Sequence, residues 1–163
     1  MTETQNESPL IDPKLVGSAA QAAPVVTAKP ATPDKGGFIW GTGRRKSSVT
    51  RVRVKPGKGE LMINKQQVND YFSQDKDRNA VSAPLKATQT LGSLDVFVNV
   101  KGGGTTGQAG ATMLGIARAL KNYDPTLMKQ LRDGGYLTRD SRMVERKKPG
   151  KPGARKSFQF SKR

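Results

Sequence analysis

Residues 94–123 read LDVFVNVKGGGTTGQAGATMLGIARALKNY, and this stretch decides the fold. Leu94, Val96, Val98 and Val100 alternate strictly, the period of a strand with one buried face, so a strand is predicted from Leu94 to Lys101. The glycine-rich turn Gly102 to Gly107 feeds a helix predicted from about Gln108 to Tyr123. Met113, Ile116, Ala117, Leu120 and Tyr123 form its apolar stripe, with Arg118, Lys121 and Asn122 opposite.

Upstream, folded signals begin at Phe38-Ile39-Trp40. Ser48 to Lys55 alternates as a strand, with Thr50, Val52 and Val54 on one face and Val49, Arg51, Arg53 and Lys55 on the other. Pro56-Gly57-Lys58-Gly59 is a turn, Pro fixing φ and Gly57 permitting a positive φ. Glu60 to Asn64 is expected to return along the preceding strand as a hairpin. Val68 to Phe72 reads as a short helix, and Ser82 to Thr90 is ambiguous. Downstream, Asp124-Pro125 supplies the N-cap and first position of a second helix, which buries Leu127, Met128 and Leu131 and ends at Gly134-Gly135. The fold class is α+β: a small four-stranded sheet with two helices on one face, spanning residues 38–133. Residues 1–37, rich in Ala, Pro, Thr and Gln, read as a disordered leader, and residues 134–163 as an extended basic tail.

Charge is distributed unevenly over the 163 residues. The tail holds ten Lys/Arg against two acids, the domain sixteen against seven, and the leader three against four, which yields the net +16 of the chain. A stretch at +8 with no hydrophobic periodicity cannot pack on itself, so a dense field of negative charge must order it, and nucleic acid is the natural source. Cys and His are both absent. This excludes disulfides, thiolate nucleophiles, nearly every zinc site and the commonest general base at neutral pH. No apolar run reaches the roughly 18 residues of a membrane helix, and residues 1–37 contain no Arg, unlike a transit peptide. The expectation is a cytosolic, non-enzymatic chain. Its acids are scattered, and Asp75 and Asp77 read as solvent-facing residues of a polar loop.

Three motifs bear on the partner. Gly102 to Gly107 matches G-x-G-x-x-G between a strand and a helix, but no second strand ending in an acid follows, and Gln108-Ala109 replaces the Lys and hydroxyl of a P-loop. A nucleotide cofactor is therefore disfavoured. The turn is either a close-packing device or one that also offers N–H groups to a nucleic-acid phosphate. Gly43-Arg44-Arg45-Lys46-Ser47-Ser48 gathers three cations and two hydroxyls, all donors to phosphate, and Arg51, Arg53 and Lys55 continue the charge. In the tail, Pro149, Gly150, Pro152 and Gly153 favour a slim, extended arm. Phe158 and Phe160 either stack on bases or cap the domain's own core.

Five blocks carry a family resemblance: residues 41–48, 100–111, 118–120, 138–148 and 159–163. Together they resemble the universal S-nine family of small-subunit ribosomal proteins in its bacterial form. The resemblance implies a structural component of the small subunit's head that binds 16S rRNA and touches neighbouring head proteins, with no cofactor, metal, membrane or small-molecule substrate. It implies the fold of the second domain of ribosomal protein S-five, with a left-handed β-α-β crossover where sequence reasoning alone favours the right-handed form. Carried onto the matching positions and the adjoining basic strand, the candidate rRNA-binding residues are Arg44, Arg45, Lys46, Ser47, Arg51, Arg53, Lys55, Lys101, Gly103, Gly104, Gln108 and Arg118. In the tail they are Arg139, Arg142, Arg146, Lys147, Lys148, Arg155 and Lys156. The family's arm runs through rRNA to the P-site tRNA, which assigns tRNA contact to Lys162 and Arg163. The leader is longer than in typical bacterial members and inherits no function. The rival reading is a free architectural DNA- or RNA-binding protein.

Overall fold

The computed structural model describes residues 32–161. The predicted leader lies outside the described residues as far as residue 31, and so do Lys162 and Arg163. The strands are β1 (Ile39–Arg45), β2 (Ser48–Pro56), β3 (Leu61–Ile63), β4 (Gln66–Gln67) and β5 (Leu94–Lys101). The helices are α1 (Val68–Tyr71), α2 (Asp75–Ala87), α3 (Thr105–Tyr123) and α4 (Met128–Asp133), the last preceded by a 3-10 turn at Pro125–Leu127. They form one α+β unit built on a single sheet of order β1-β2-β5-β3-β4.

Two expectations about the sheet are corrected. It has five strands rather than four, because Asn64 (φ 48°) and Lys65 (φ 69°) form a two-residue turn that folds Gln66–Gln67 back on β3. Two positive φ values in sequence are what such a hairpin turn requires. The expected hairpin between β2 and β3 does not form, since β5 lies between them, antiparallel to β2 and parallel to β3. The physical reason is Asp95. Its carboxylate accepts the N–H groups of Lys58, Gly59 and Glu60 at 2.8, 3.0 and 3.1 Å, so the turn wraps over the start of β5 instead of folding back. The positive φ falls at Gly59 (92°), not Gly57; a β-carbon on Gly57 would collide with the Asp95 carboxylate.

The alternation read in the sequence sets the layers. Thr50, Val52 and Val54 of β2 and Leu94, Val96, Val98 and Val100 of β5 are buried beneath the helices. α3 crosses β1 and β2, α2 packs beside it, and α4 closes against both helices. On β1 the buried positions are Ile39, Gly41 and Gly43. A β-carbon on Gly43 would drive into the Ala111 carbonyl and the Gly115 N–H, so glycine there lets α3 lie directly on the strand. Arg118 and Asn122 of α3 donate to the carbonyls of Thr42 (2.9 Å) and Trp40 (3.0 Å), which protects the sheet at its β1 edge.

α3 begins at Thr105, so the glycine turn is shorter than expected and part of the motif is helical. Of the ambiguous Ser82–Thr90 stretch, residues 82–87 are the second half of α2 and Thr88 is its C-cap; the helix is concealed by Pro84 inside it and by a buried face of only Asp77, Val81, Pro84 and Leu85. Asp75 is exposed as expected, but Asp77 is buried at 2 % exposure on the first turn of α2, not in a solvent-facing loop. The Asp124 cap is present: its carboxylate accepts the Thr126 N–H at 2.9 Å. Beyond α4, the N–H of Tyr136 bonds the Leu131 carbonyl at 3.0 Å around Gly135 (φ 72°), and Tyr136 and Leu137 pack on the core. From residue 139 to 161 the chain has no helix or strand.

Candidate nucleic-acid interface

The face of β1, β2 and β5 away from the helices is open, and the pairing register arranges its side chains in rows. Trp40, Arg53 and Phe97 stand opposite one another across three strands, then Thr42, Arg51 and Asn99, then Arg44, Val49 and Lys101. Lys55 is opposite Asp95 at the far end. Five candidate cations, Arg44, Arg51, Arg53, Lys55 and Lys101, thus share one face. Successive rows lie about 6.7 Å apart along β2, the two-residue step of a strand. The Arg53 guanidinium lies over the rings of Phe38, Trp40 and Phe97 at 5.3, 5.8 and 5.8 Å, and Arg51 lies over Trp40 at 5.1 Å. Lys55 sits 5.6 Å from the rings of both Phe38 and Phe97. Asp95 is the one acid opposite these cations, and its hydrogen bonds to the three turn N–H groups, that of Glu60 foremost, hold its carboxyl below the ordinary 3.8.

At the basic end of this face three motifs meet. Lys46 and Ser47 form the two-residue turn between β1 and β2. The Ser48 hydroxyl donates to the Gly102 carbonyl at 3.0 Å, which draws the Lys101–Gly104 loop against that turn. Gly104 is the N-cap of α3 and supplies no side-chain cap. Arg45 then ties in the tail: its guanidinium donates to the Asp140 carboxylate at 2.8 Å and to the Thr106 carbonyl at 3.3 Å. Arg142 also grips Asp140 through its backbone N–H and its guanidinium, and this bonding, led by the Arg142 side chain, holds the Asp140 carboxyl far below the usual carboxylate range.

The structure sorts the candidates by what already holds them. Arg45, Arg118 and Gln108 are half-buried and bonded to the protein's own groups. The Gln108 amide donates to the Gly102 carbonyl at 3.1 Å and its oxygen accepts from the Tyr71 hydroxyl at 2.8 Å. Arg142 and Arg155 are paired with Asp140 and Glu145, which raises both guanidinium pKa values. The Glu145–Arg155 pair closes the tail segment 146–154 into a loop. Arg44, Lys46, Arg139, Lys147, Lys148 and Lys156 are exposed and form no ion pair among the described residues, and Arg146 donates only to the Lys147 carbonyl. Phe158 and Phe160 are exposed, so they do not cap the core. Sequence reasoning misses Phe38, Trp40 and Phe97 as part of this surface. Their alignment with the basic face of β2 is visible only once the register is known.

A cleft of about 690 Å³ lies elsewhere, lined by β3, α2 and the Gly59–Leu61 turn among others. Asp75 there pairs with Arg78 at 3.0 Å, and the Ser82 hydroxyl donates to the carbonyls of Arg78 and Asn79, so no nucleophile faces a base.

The fold and this surface define a class: a one-sided sheet, basic on its open face, with a basic extension pinned at its root. The sequence profile of the family Ribosomal protein S9/S16 matches residues 43–163. The chain belongs to that family; it is a ribosomal protein and not an enzyme. It is similar to the small ribosomal subunit protein uS9 of Rhodopirellula baltica, 54% identical over 127 residues that cover 78% of this chain and 93% of that protein. It is equally similar to the small ribosomal subunit protein uS9m of Arabidopsis thaliana, 54% identical over 130 residues, 80% of this chain but 30% of that longer protein.

Proposed function

We propose that this chain is a component of the head of the small subunit of the cytoplasmic ribosome, where it binds 16S rRNA and neighbouring head proteins. Its domain docks by phosphate contact through Arg44, Lys46, Ser47, Arg51, Arg53, Lys55 and Lys101, with the Gly103 and Gly104 N–H groups beside them. The tail continues the grip through Arg139, Arg146, Lys147, Lys148 and Lys156, and Lys162 and Arg163 extend it to the P-site tRNA. The boundaries of leader, domain and arm at residues 37 and 134 belong to the same reading.

One observation carries it. Five cations share an open face whose paired strand positions hold a single acid, Asp95, and the tail is fastened by Arg45 at the basic end of that face. Such a surface neutralises phosphates by position, not by reading base edges in the deep groove of an A-form helix. Both relatives named above are small ribosomal subunit proteins, which supports the assignment.

The test is sedimentation of the full-length chain. It should migrate with small subunits and leave almost no free pool; a predominantly free pool would favour the architectural protein instead. With about six to ten phosphates neutralised, affinity for a 16S rRNA fragment should fall by about 10³–10⁵ between roughly 50 and 200 mM salt.

A further inference from the structure

The open face is not uniformly basic. At the end away from the β1–β2 turn it carries Trp40 and Phe97 with Arg53 between them, and Phe38 beside Phe97 in an edge-to-face contact of 6.1 Å. The Trp40 indole N–H is steadied by the Asp34 carboxylate at 3.4 Å, yet the residue is 36% exposed. Arg51 and Arg53 donate no side-chain hydrogen bond to any described residue, and Arg53 Nε is buried without a partner. A guanidinium lying over a ring uses its flat face there and keeps its in-plane N–H donors for something else. These residues therefore present two unmet demands side by side: donors without acceptors, and aromatic area without a flat apolar partner.

We infer that this end of the face binds an unpaired stretch of RNA, one base joining the Trp40–Arg51 stack while the adjoining phosphates take the donors of Arg51, Arg53 and Lys55. The inference rests on the RNA-binding reading above and deepens it. Phosphates alone would satisfy the cations and leave the rings uncovered, and an acidic peptide offers carboxylates but no flat surface. A nucleotide supplies both chemistries in one unit. Inside a duplex the base faces are already stacked, so only an unpaired strand can offer them. The spacing of Arg51, Arg53 and Lys55, about 6.7 Å per step along β2, is close to the step between successive phosphates of a strand laid along it.

Trp40 is the only tryptophan of the chain, so its emission reports this site even while the tail binds RNA elsewhere. The full-length chain is titrated with a short single-stranded RNA, with the duplex of the same sequence, and with polyglutamate. The single strand should quench Trp40 emission to saturation, while the duplex binds without quenching and polyglutamate leaves the emission unchanged. Arg51→Ala should move the quenching midpoint to about tenfold higher RNA, in the range expected when one stacking or phosphate partner is removed. Lys147→Ala with Lys148→Ala should weaken total binding and leave the depth of quenching intact. Quenching that is absent at saturation, equal with duplex, or stronger with polyglutamate overturns the inference. Absent quenching in a chain that still sediments with small subunits removes this inference alone; a chain that does neither removes the broader reading as well.

Discussion

Arg142 and Arg53 carry the same charge and are held in opposite ways. At the root of the tail, Arg142 and Arg45 converge on the Asp140 carboxylate. On the open sheet face, Arg53 rests among three aromatic rings and meets no acid among the described residues. A carboxylate offsets the cation's charge and takes the Nε and Nη2 edge of its guanidinium, so the pair fastens chain to chain and leaves less for a grip on phosphate. An aromatic ring steadies the cation while leaving both charge and donors available. Both acids of the tail are used in the first way, Asp140 to hold the tail to the domain and Glu145 to close a loop. On the proposed reading, the basic count of the chain therefore overstates the number of cations ready for RNA.

The largest expected effect comes from truncation after Ser141, which removes nine basic residues and one acid but keeps Tyr136, Leu137 and Asp140 on the domain. The affinity for a 16S rRNA fragment should fall steeply and its dependence on salt should flatten, by about 0.9 in log–log slope for each phosphate that the tail no longer neutralises. Filter binding across a salt series checks this; an unchanged slope would mean that the tail neutralises no phosphates.

Asp140→Ala breaks the other side of the comparison. It frees Arg45 and Arg142 and adds net positive charge, so affinity at low salt should hold or rise slightly. Proteolysis and hydrogen exchange around residues 138–142 should speed up by about tenfold as the root opens locally. Weaker RNA binding without local opening would show that Asp140 positions the tail in some other way.

Acid acts in the same direction. The folded state holds the Asp140 and Asp95 carboxyls below 3.8, so their bonds add stability above that pH and lose it as pH falls through their lowered values. The root of the tail should stay protected from neutral pH down to about pH 4 and loosen only below it. Protection that fades between about pH 7 and 5 would contradict that assignment of the anchor.

The smallest effect is expected from deleting Lys162 and Arg163. Subunit assembly should be spared, and P-site tRNA should dissociate a few-fold faster in a toe-printing or filter assay. Loss of assembly with normal tRNA retention would reverse the division of labour between domain and arm.

Local features of this molecule are legible in the sequence, and distant ones are not. The β5–α3 unit can be read from residues 94–123 because strand alternation and the helical stripe are properties of neighbours. The Asp124 cap and the Gly134-Gly135 stop are likewise local. The turn after β2 suggests a hairpin because Asp95, which redirects it, lies 35 to 37 residues from the N–H groups it accepts. Arg45 reads like Arg44 and Lys46, as a phosphate donor, although its partner Asp140 is 95 residues away. Nothing in the basic triplet marks the middle cation as the one that bonds the tail. The aromatic rows need the register of three strands before Trp40, Arg53 and Phe97 become one feature. Charge alone points to a class of partner, but only geometry separates the cations already bonded to the protein's own acids and carbonyls from those without such a bond.

That separation is tested most directly by the salt dependence of binding to a 16S rRNA fragment in two double variants of the full-length chain. Arg51→Ala with Arg53→Ala should lower the log–log slope by about 1.4, at about 0.7 per phosphate of an unpaired strand. Glu145→Ala with Arg155→Ala, which removes a carboxylate-held cation together with its acid, should leave the slope unchanged. Equal reductions in the two variants, or a reduction confined to the second, would contradict the account.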